Sequence, residues 1–232
     1  MVALISKTEL KDLAIAAGDE LEGASALEIL TWTDEHFGSS WAVASSMADA
    51  VVPSLAAKVR PGVDILFLDT GYHFAETLGT RDAIAATLPV TIRTLKPAQT
   101  VDEQDVSFGK RLYERNPDQC CALRKVMPLR KALKDYDAWV SGLRRDEAAS
   151  RATVKVVDWD DGRGMVKINP IAAWTQDDVD RYIAENGVLV NPLLSDGYGS
   201  VGCGPCTRRI APGEDARAGR WAGSSKVECG IH

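Results

Sequence analysis

The chain has 232 residues, a formal net charge of −6 at pH 7 and 45% hydrophobic residues. It is therefore long enough for one well-buried core, in one or two domains. No stretch has the composition of a membrane span, a transit peptide or a low-complexity tract, so we expect a cytoplasmic protein without a membrane attachment. Residues 110–151 carry 11 basic and 6 acidic side chains. This local excess indicates a site for an anionic ligand rather than a nucleic-acid-binding surface.

The first part of the chain predicts helices, and short apolar strands follow. Segment 6–9 has the form of a helix capping box, and a second predicted helix covers about residues 24–37. Short apolar runs, typical of strands buried on both faces, then alternate with helical segments. The predicted strands are 41–44, 65–68, 90–93, 138–142 and 166–168. This alternation predicts an α/β fold, with a mostly parallel five-stranded sheet covered by helices on both faces.

Polar residues cluster where three of the predicted strands end. Ser45 and Ser46 follow the first strand, Asp69 follows the second, and Gly142 and Arg144 follow the fourth. Ligands bind beyond the carboxyl ends of parallel strands, and a serine-rich turn entering a helix offers N–H groups and hydroxyls to an anion. Each turn alone also fits ordinary helix capping. Several such turns at one sheet edge, with paired arginines, favour nucleotide binding over plain capping.

The five cysteines divide into two pairs and a singleton: Cys120 with Cys121, Cys203 with Cys206, and Cys229. This division predicts four thiolate ligands for a metal centre and one thiol that reacts. Adjacent cysteines in a helix point about 100° apart, which suits an iron–sulfur cluster better than one tetrahedral zinc ion. Zinc and plain buried cysteines are the alternatives. The odd count and the chain length argue against a disulfide framework.

The last segment, residues 208–232, is rich in Gly, Ala, Arg and Ser and offers little to bury. We interpret it as a mobile tail that carries Cys229. Residues 1–207 are interpreted as one nucleotide-binding domain that also carries the metal centre. Arg217 and Arg220 in the tail are candidates for anchoring it near an anion, although arginines are more often solvated at the surface.

Several segments together resemble one family. They are the two cysteine pairs, Leu143-Arg144-Arg145-Asp146, Ala216-Arg217-Ala218-Gly219-Arg220-Trp221 and Glu228-Cys229-Gly230-Ile231-His232. From about residue 41 to the last residue, the chain resembles the assimilatory adenylyl-sulfate (APS) reductases. The resemblance implies a sheet of the adenine nucleotide alpha-hydrolase type, a [4Fe-4S] cluster on the four paired cysteines, and reduction of APS to sulfite and AMP. Segment 45–49 lacks the glycines of the Ser-Gly-Gly-x-Asp-Ser loop of related ATP-using enzymes, which agrees with a substrate that is not cleaved between phosphates.

The mechanism that the resemblance implies begins when the Cys229 thiolate attacks the sulfur of APS and AMP leaves. A thiol donor such as thioredoxin then attacks the Cys229 S-sulfonate and releases sulfite. By the family's pattern, the sulfate and phosphate oxygens are held by Lys125, Arg144, Arg151, Arg217, Arg220 and His232. These cations would also favour the thiolate and stabilise the departing AMP. Because thiol exchange moves electron pairs, we expect the cluster to have a structural and electrostatic role.

Three alternatives stay open from the sequence. PAPS reduction is disfavoured because enzymes restricted to that 3′-phosphorylated nucleotide generally lack the two cysteine pairs. An ATP-dependent tRNA thiolase combines such a sheet with a cysteine-bound cluster, but the missing glycines and the terminal cysteine motif count against it. A non-catalytic iron–sulfur redox sensor would use Cys229 only as an oxidisable thiol. The oligomeric state, including a homo-oligomer, and the identity of the thiol donor also stay open.

Overall fold

The computed structural model describes residues 6–224 and 226–231. Within them, the sheet contains β1 Trp41–Ser45, β2 Asp64–Leu68, β3 Thr91–Leu95, β4 Ala138–Ser141, β5 Val157–Asp160 and β6 Met165–Ile168. The strand order is β3-β2-β1-β4-β6-β5. All neighbouring strands pair in parallel except β5, which is antiparallel to β6 at one edge. The predicted α/β fold with a mostly parallel sheet is confirmed.

The sheet has one strand more than the five predicted, because β5 was missed. Its sequence, Val157-Asp158-Trp159-Asp160, contains two carboxylates and lacks the continuous apolar run of a strand buried on both faces. As an edge strand, β5 pairs with only one neighbour and leaves its acidic side chains partly in solvent. A tight turn at residues 161–164 joins it to β6, where the N–H of Gly164 donates to the carbonyl of Asp160 at 2.7 Å.

Helices connect the first four strands and also lie before β1 and after β6. They are α1 Lys7–Glu20, α2 Ala26–Phe37, α3 Val51–Val59, α4 Ala75–Thr87, α5 Val101–Phe108, α6 Leu112–Arg115, α7 Pro117–Cys121, α8 Met127–Ala132, α9 Gln176–Asn186 and α10 Pro192–Ser195. A π-helical turn, Ala122–Val126, joins α7 to α8. Short 3₁₀ turns lie at Leu133–Asp135, Arg145–Glu147, Ala149–Arg151 and Gly204–Cys206. None of the described helices is both long and apolar enough to cross a membrane.

The predicted capping box at the beginning of α1 is confirmed. The Ser6 hydroxyl accepts the Glu9 N–H at 3.3 Å, and the Glu9 carboxylate accepts the Ser6 N–H at 2.8 Å. Reciprocal boxes of the same kind begin α2, α5 and α9. Each box satisfies two N–H groups that the helix leaves without partners, and replacing such a cap typically costs about 1 kcal/mol.

Side chains on the two faces of the sheet enter two separate cores. On one face, Val43 and Ile65 pack with apolar residues of α1, α2 and α3. On the other face, Leu66 and Trp139 pack with Leu129 of α8. Because both faces are covered, consecutive residues of the central strands are all buried, which is why these strands appear in the sequence as continuous apolar runs.

Candidate active site

A cleft of about 830 Å³ opens beyond the carboxyl ends of β1 and β4. The chain continues from β1 to β2 and β3 on one side, whereas β4 lies on the other side, so the strand order reverses between β1 and β4. Such a reversal is where parallel sheets bind ligands. The predicted site residues that line the cleft are Ser45, Ser46, Lys125, Gly142, Arg144, Arg151, Arg217, Arg220 and Cys229.

Asp69 is a predicted substrate-binding residue that the structure does not bring into this set. Asp69 follows β2 as expected, but its carboxylate accepts the Gly71 N–H at 3.1 Å and stabilises a turn instead of lining the cleft. The cleft wall near this turn is formed by Leu68 and His73. His232 lies outside the described residues. A substrate contact of either residue therefore has no support from the described geometry.

His73 is a cleft residue that the sequence analysis missed. Its Nε2 donates to the Leu68 carbonyl at 2.7 Å, which leaves Nδ1 buried and, among the described residues, without a hydrogen-bond partner. Burial lowers the pKa of this imidazole below its usual value, and the nearby Lys125 lowers it further. The signal available in the sequence was a histidine five residues after the end of a strand that points to the ligand-binding edge.

Lys125 lies in the π-helical turn between α7 and α8, a rare helix form that is frequent at functional sites. Its side chain is buried and lines both the cleft and a neighbouring cavity that contains four cysteines. Burial alone would lower the pKa of this amine, but the thiols of Cys203 and Cys229 raise it, and the net change is upward. Lys125 therefore stays protonated between the cysteine pairs and the predicted nucleophile.

Arg220 brings a further, partly buried cation to the cleft. Its Nη1 donates to the Ser200 hydroxyl and the Val201 carbonyl at 3.2 Å each, and its guanidinium lies 4.6 Å from the ring of Trp221. Its Nε is buried with no hydrogen-bond partner in the described part of the chain. Burial and the charge of Arg217 lower the pKa of this guanidinium. An anion bound in the cleft would offset both costs.

Arg151 and Arg217 contact the same carboxylate. Arg151 donates from Nε and Nη2 to the two oxygens of Glu228, at 2.8 and 2.9 Å, and its Nη1 pairs with Glu147. Arg217 donates from Nη2 to Glu228 at 3.1 Å. Burial alone would raise the pKa of Glu228, but the hydrogen bond and charge of Arg151 lower it overall.

Arg144 makes a separate contact, with Nη2 2.7 Å from Gln176 Oε1.

The four paired cysteines line one small cavity, called here the cysteine cavity: Cys120, Cys121, Cys203 and Cys206, with Tyr72, Tyr113, Arg124, Lys125 and Trp221 among their neighbours. The first pair ends α7, and the second flanks a 3₁₀ turn. The loop after β2 contacts the second pair, because the Gly204 N–H donates to the Tyr72 carbonyl at 2.7 Å and the Thr70 hydroxyl lies 3.3 Å from Cys203 Sγ. The expectation that the fold brings the two pairs together is confirmed.

Burial governs the ionisation of the thiols in the cysteine cavity. Burial, with the neighbouring thiols of Cys121 and Cys203, raises the pKa of Cys120 to about 12, and burial raises that of Cys206 to about 11. Within residues 6–224 and 226–231, no three His, Cys, Asp or Glu side chains are arranged to hold one metal ion. Buried thiols of this kind are suited to a group that binds them as thiolates.

Several described residues after 207 lie against the cleft or the cysteine cavity. The Arg208 N–H donates to the Gly219 carbonyl at 2.9 Å, and the Trp221 N–H donates to the Cys206 carbonyl at 3.0 Å. The view that this segment has little to bury is wrong for Trp221, which is only 6% exposed. The mobility of the segment and a domain boundary at residue 207 stay predictions.

These features define a doubly wound nucleotide-binding fold whose cleft combines buried cations with a thiol. A profile of the phosphoadenosine phosphosulfate reductase domain matches residues 40–209. The chain is 62% identical over 224 residues to the Adenosine 5'-phosphosulfate reductase of Streptomyces coelicolor, covering 97% of this chain and 95% of that protein. It is 58% identical over 231 residues to the Adenosine 5'-phosphosulfate reductase of Mycolicibacterium smegmatis, covering 100% and 98%.

Among solved structures, the phosphoadenylyl-sulfate (PAPS) reductase of Candida auris, in a phosphate complex, is similar. It superposes with a TM-score of 0.72 at 28% identity, and the match covers 85% of this chain and 97% of that chain. The chain belongs to the phosphoadenosine phosphosulfate reductase family. The family resemblance seen in the sequence is therefore confirmed.

Proposed function

We propose that this chain reduces adenylyl sulfate to sulfite and AMP, using a protein thiol such as thioredoxin, in assimilatory sulfate reduction in the cytoplasm. The observation that carries the proposal is the position of Cys229, which lines the cleft at the strand reversal together with the buried cation Lys125 and the partly buried Arg220. The names of the two bacterial relatives agree with it. A thiol beside buried positive charge is suited to attack an anionic, electrophilic sulfur.

In the first step, the Cys229 thiolate forms a bond to the sulfur of APS. The bond between that sulfur and the AMP oxygen breaks, its electron pair stays on AMP, and Cys229 becomes an S-sulfonate. Negative charge develops on the departing phosphate oxygen. The cations Lys125, Arg217 and Arg220 line the same cleft and would stabilise that charge.

In the second step, a donor thiolate attacks the Cys229 sulfur and sulfite leaves with the electron pair of the sulfur–sulfur bond. The resulting mixed disulfide is resolved by the second thiol of the donor, which restores Cys229 as a thiol. The donor dithiol is oxidised to a disulfide and the transferred sulfur is reduced. This balance needs two donor thiols, as a thioredoxin supplies.

The cysteine cavity would hold a [4Fe-4S] cluster on Cys120, Cys121, Cys203 and Cys206. A bound cluster supplies buried negative charge beside the cleft. Lys125 lines both spaces, so its ammonium would face that charge on one side and the substrate's sulfate on the other. We therefore propose a structural and electrostatic role for the cluster.

PAPS reduction is the second candidate, and it is favoured by the name of the matching domain and by the Candida auris structure. A PAPS site needs cations for a 3′-phosphate in addition to those for the sulfate end. Near Ser45 the cleft offers instead the carboxylate of Asp49, which accepts the Val51 N–H at 2.9 Å. A 3′-phosphate placed there would meet a carboxyl group instead of a cation, so we prefer APS.

The experiment that tests the function is sulfite release from APS and from PAPS, measured side by side with thioredoxin. We expect kcat/KM for APS to exceed that for PAPS by at least about tenfold, or about 1.4 kcal/mol of transition-state discrimination. Equal values or a preference for PAPS would contradict the choice of nucleotide. A requirement for ATP would indicate a thiolase, and no turnover of either nucleotide would favour a redox sensor.

A further inference from the structure

Glu228, which directly precedes Cys229, makes strong ionic contacts with the wall of the cleft. Its two carboxylate oxygens accept from Arg151 Nε and Nη2 at 2.8 and 2.9 Å, and Arg217 Nη2 lies 3.1 Å from Oε2. Two parallel hydrogen bonds between a guanidinium and a carboxylate fix orientation as well as distance. The carboxylate is therefore held in one place, although it belongs to a segment without helix or strand.

Arg151 is itself anchored to the body of the protein. It ends the 3₁₀ turn Ala149–Arg151 that follows β4, it is buried, and its third nitrogen pairs with Glu147. All three guanidinium nitrogens thus donate to the two carboxylates. The ion pair connects a fixed point beside the sheet to the residue before the predicted nucleophile.

A second anchor follows Cys229 on its other side. Arg163 Nη2 donates to the carbonyl of Ile231 at 2.7 Å, and Arg163 is held by Asp160 at the end of β5. Gly230 lies between the two anchors with φ +77, a conformation that glycine adopts without strain. Cys229 is therefore held from both sides, and the Glu228 anchor is the one joined to it by a single peptide unit.

We propose that Glu228 is a positioning residue that holds the Cys229 thiol in the cleft by pairing with Arg151 and Arg217. This inference rests on the proposed function and names how the nucleophile of that reaction is placed. The competing idea is that the carboxylate merely occupies an anion site which the substrate must take over. The two ideas differ in which kinetic quantity changes when the charge is removed.

The first experiment compares Glu228→Gln with wild type in single turnovers of sulfur-labelled APS without thioredoxin. Removing the charge breaks the paired contact, so the maximal rate of label transfer to Cys229 should fall by about tenfold to a hundredfold, as misplacement of a reacting group costs. The APS concentration at half-maximal rate should change by less than about threefold, because Glu228→Gln removes no cation from the cleft. Glu228→Asp, which keeps the charge, should recover part of the rate.

Glu214→Gln is the matched control, because Glu214 pairs with Arg208 in the same segment but is absent from the cleft wall. Glu214→Gln should match wild type in the maximal rate of label transfer and in the APS concentration at half-maximal rate. An unchanged maximal rate in Glu228→Gln would overturn the proposal. A lower APS concentration at half-maximal rate, with no loss of maximal rate, would overturn it as well. That result would indicate a carboxylate that competes with the substrate.

The second experiment does not depend on turnover. Iodoacetamide labelling of Cys229 in the full-length, APS-free protein is followed by mass spectrometry of the C-terminal peptide. Rates are compared on the alkaline plateau, where the thiol is fully ionised in each variant, so that a change in thiol pKa does not contribute. Glu228→Gln should label several times faster than wild type, and Glu214→Gln at the wild-type rate.

Equal plateau rates in all three proteins would show that the ion pair does not hold the thiol, which overturns the positioning role. If wild type transfers no label from APS, the proposed function fails, and the alkylation rates still decide whether Glu228 positions Cys229. Iron content and circular dichroism are measured on every variant, so that loss of the fold is recognised separately.

Discussion

The cysteine cavity and the cleft lie side by side and share Lys125 and Trp221 in their walls, yet they place cysteines in different environments. Burial raises the pKa of Cys120 to about 12, so its free thiol would not ionise near neutral pH. Cys229 is only half-buried and lines an open cleft together with several cations. The two environments agree with the proposed division between thiols that bind a metal group and one that reacts.

The change with the largest expected effect is Cys229→Ser. A serine hydroxyl is a poor nucleophile here, so sulfite release should fall by about 10⁴-fold or more, as when a catalytic nucleophile is removed. The variant should keep the brown colour of the proposed iron–sulfur cluster, because the cysteine cavity is unchanged. It should also still bind APS. Sulfite assays, iron analysis and APS-binding titrations measure the three quantities. Substantial activity would mean that the nucleophile lies elsewhere.

The next largest effect is expected for Cys203→Ser, which removes one of the four thiols of the cysteine cavity. Anaerobically purified wild type should contain about four iron and four sulfide per chain. The variant should lose both together with its activity, because three thiols and a hydroxyl bind such a cluster poorly. Stoichiometric zinc without labile sulfide in wild type would contradict the cluster assignment. If iron stays bound in Cys203→Ser, Cys203 is not one of the cluster ligands.

A smaller effect is expected for Lys125→Gln, which changes a side chain that lines both the cleft and the cysteine cavity. Removing a buried charge that faces the substrate's sulfate should lower kcat/KM for APS by about 10²-fold, or about 2.7 kcal/mol. Lys131→Gln is the control, because Lys131 lies exposed on α8. The iron content of Lys125→Gln should stay close to that of wild type. A loss of iron equal to the loss of activity would show that Lys125 serves the cysteine cavity alone.

The sequence by itself determined the features that depend on near neighbours along the chain. The capping box at Ser6 follows from the side chains of one helical turn, and the central strands follow from apolar runs that only a strand covered on both faces requires. The two cysteine pairs and the single Cys229 were also visible, because spacing alone separates them. Ser45, Ser46 and Gly142 were placed at the cleft because parallel strands end at a common edge.

Only the tertiary structure decided the features that depend on contacts between distant segments. Asp69 follows a strand at the same edge, but its carboxylate closes a local turn with Gly71 instead of entering the cleft. Trp221 is buried because Cys206 and the cysteine cavity lie beneath it. Glu228 meets Arg151 across 77 residues of chain. No local pattern encodes such a pair, since its geometry exists only after the sheet has brought β4 and the last segment to the same edge.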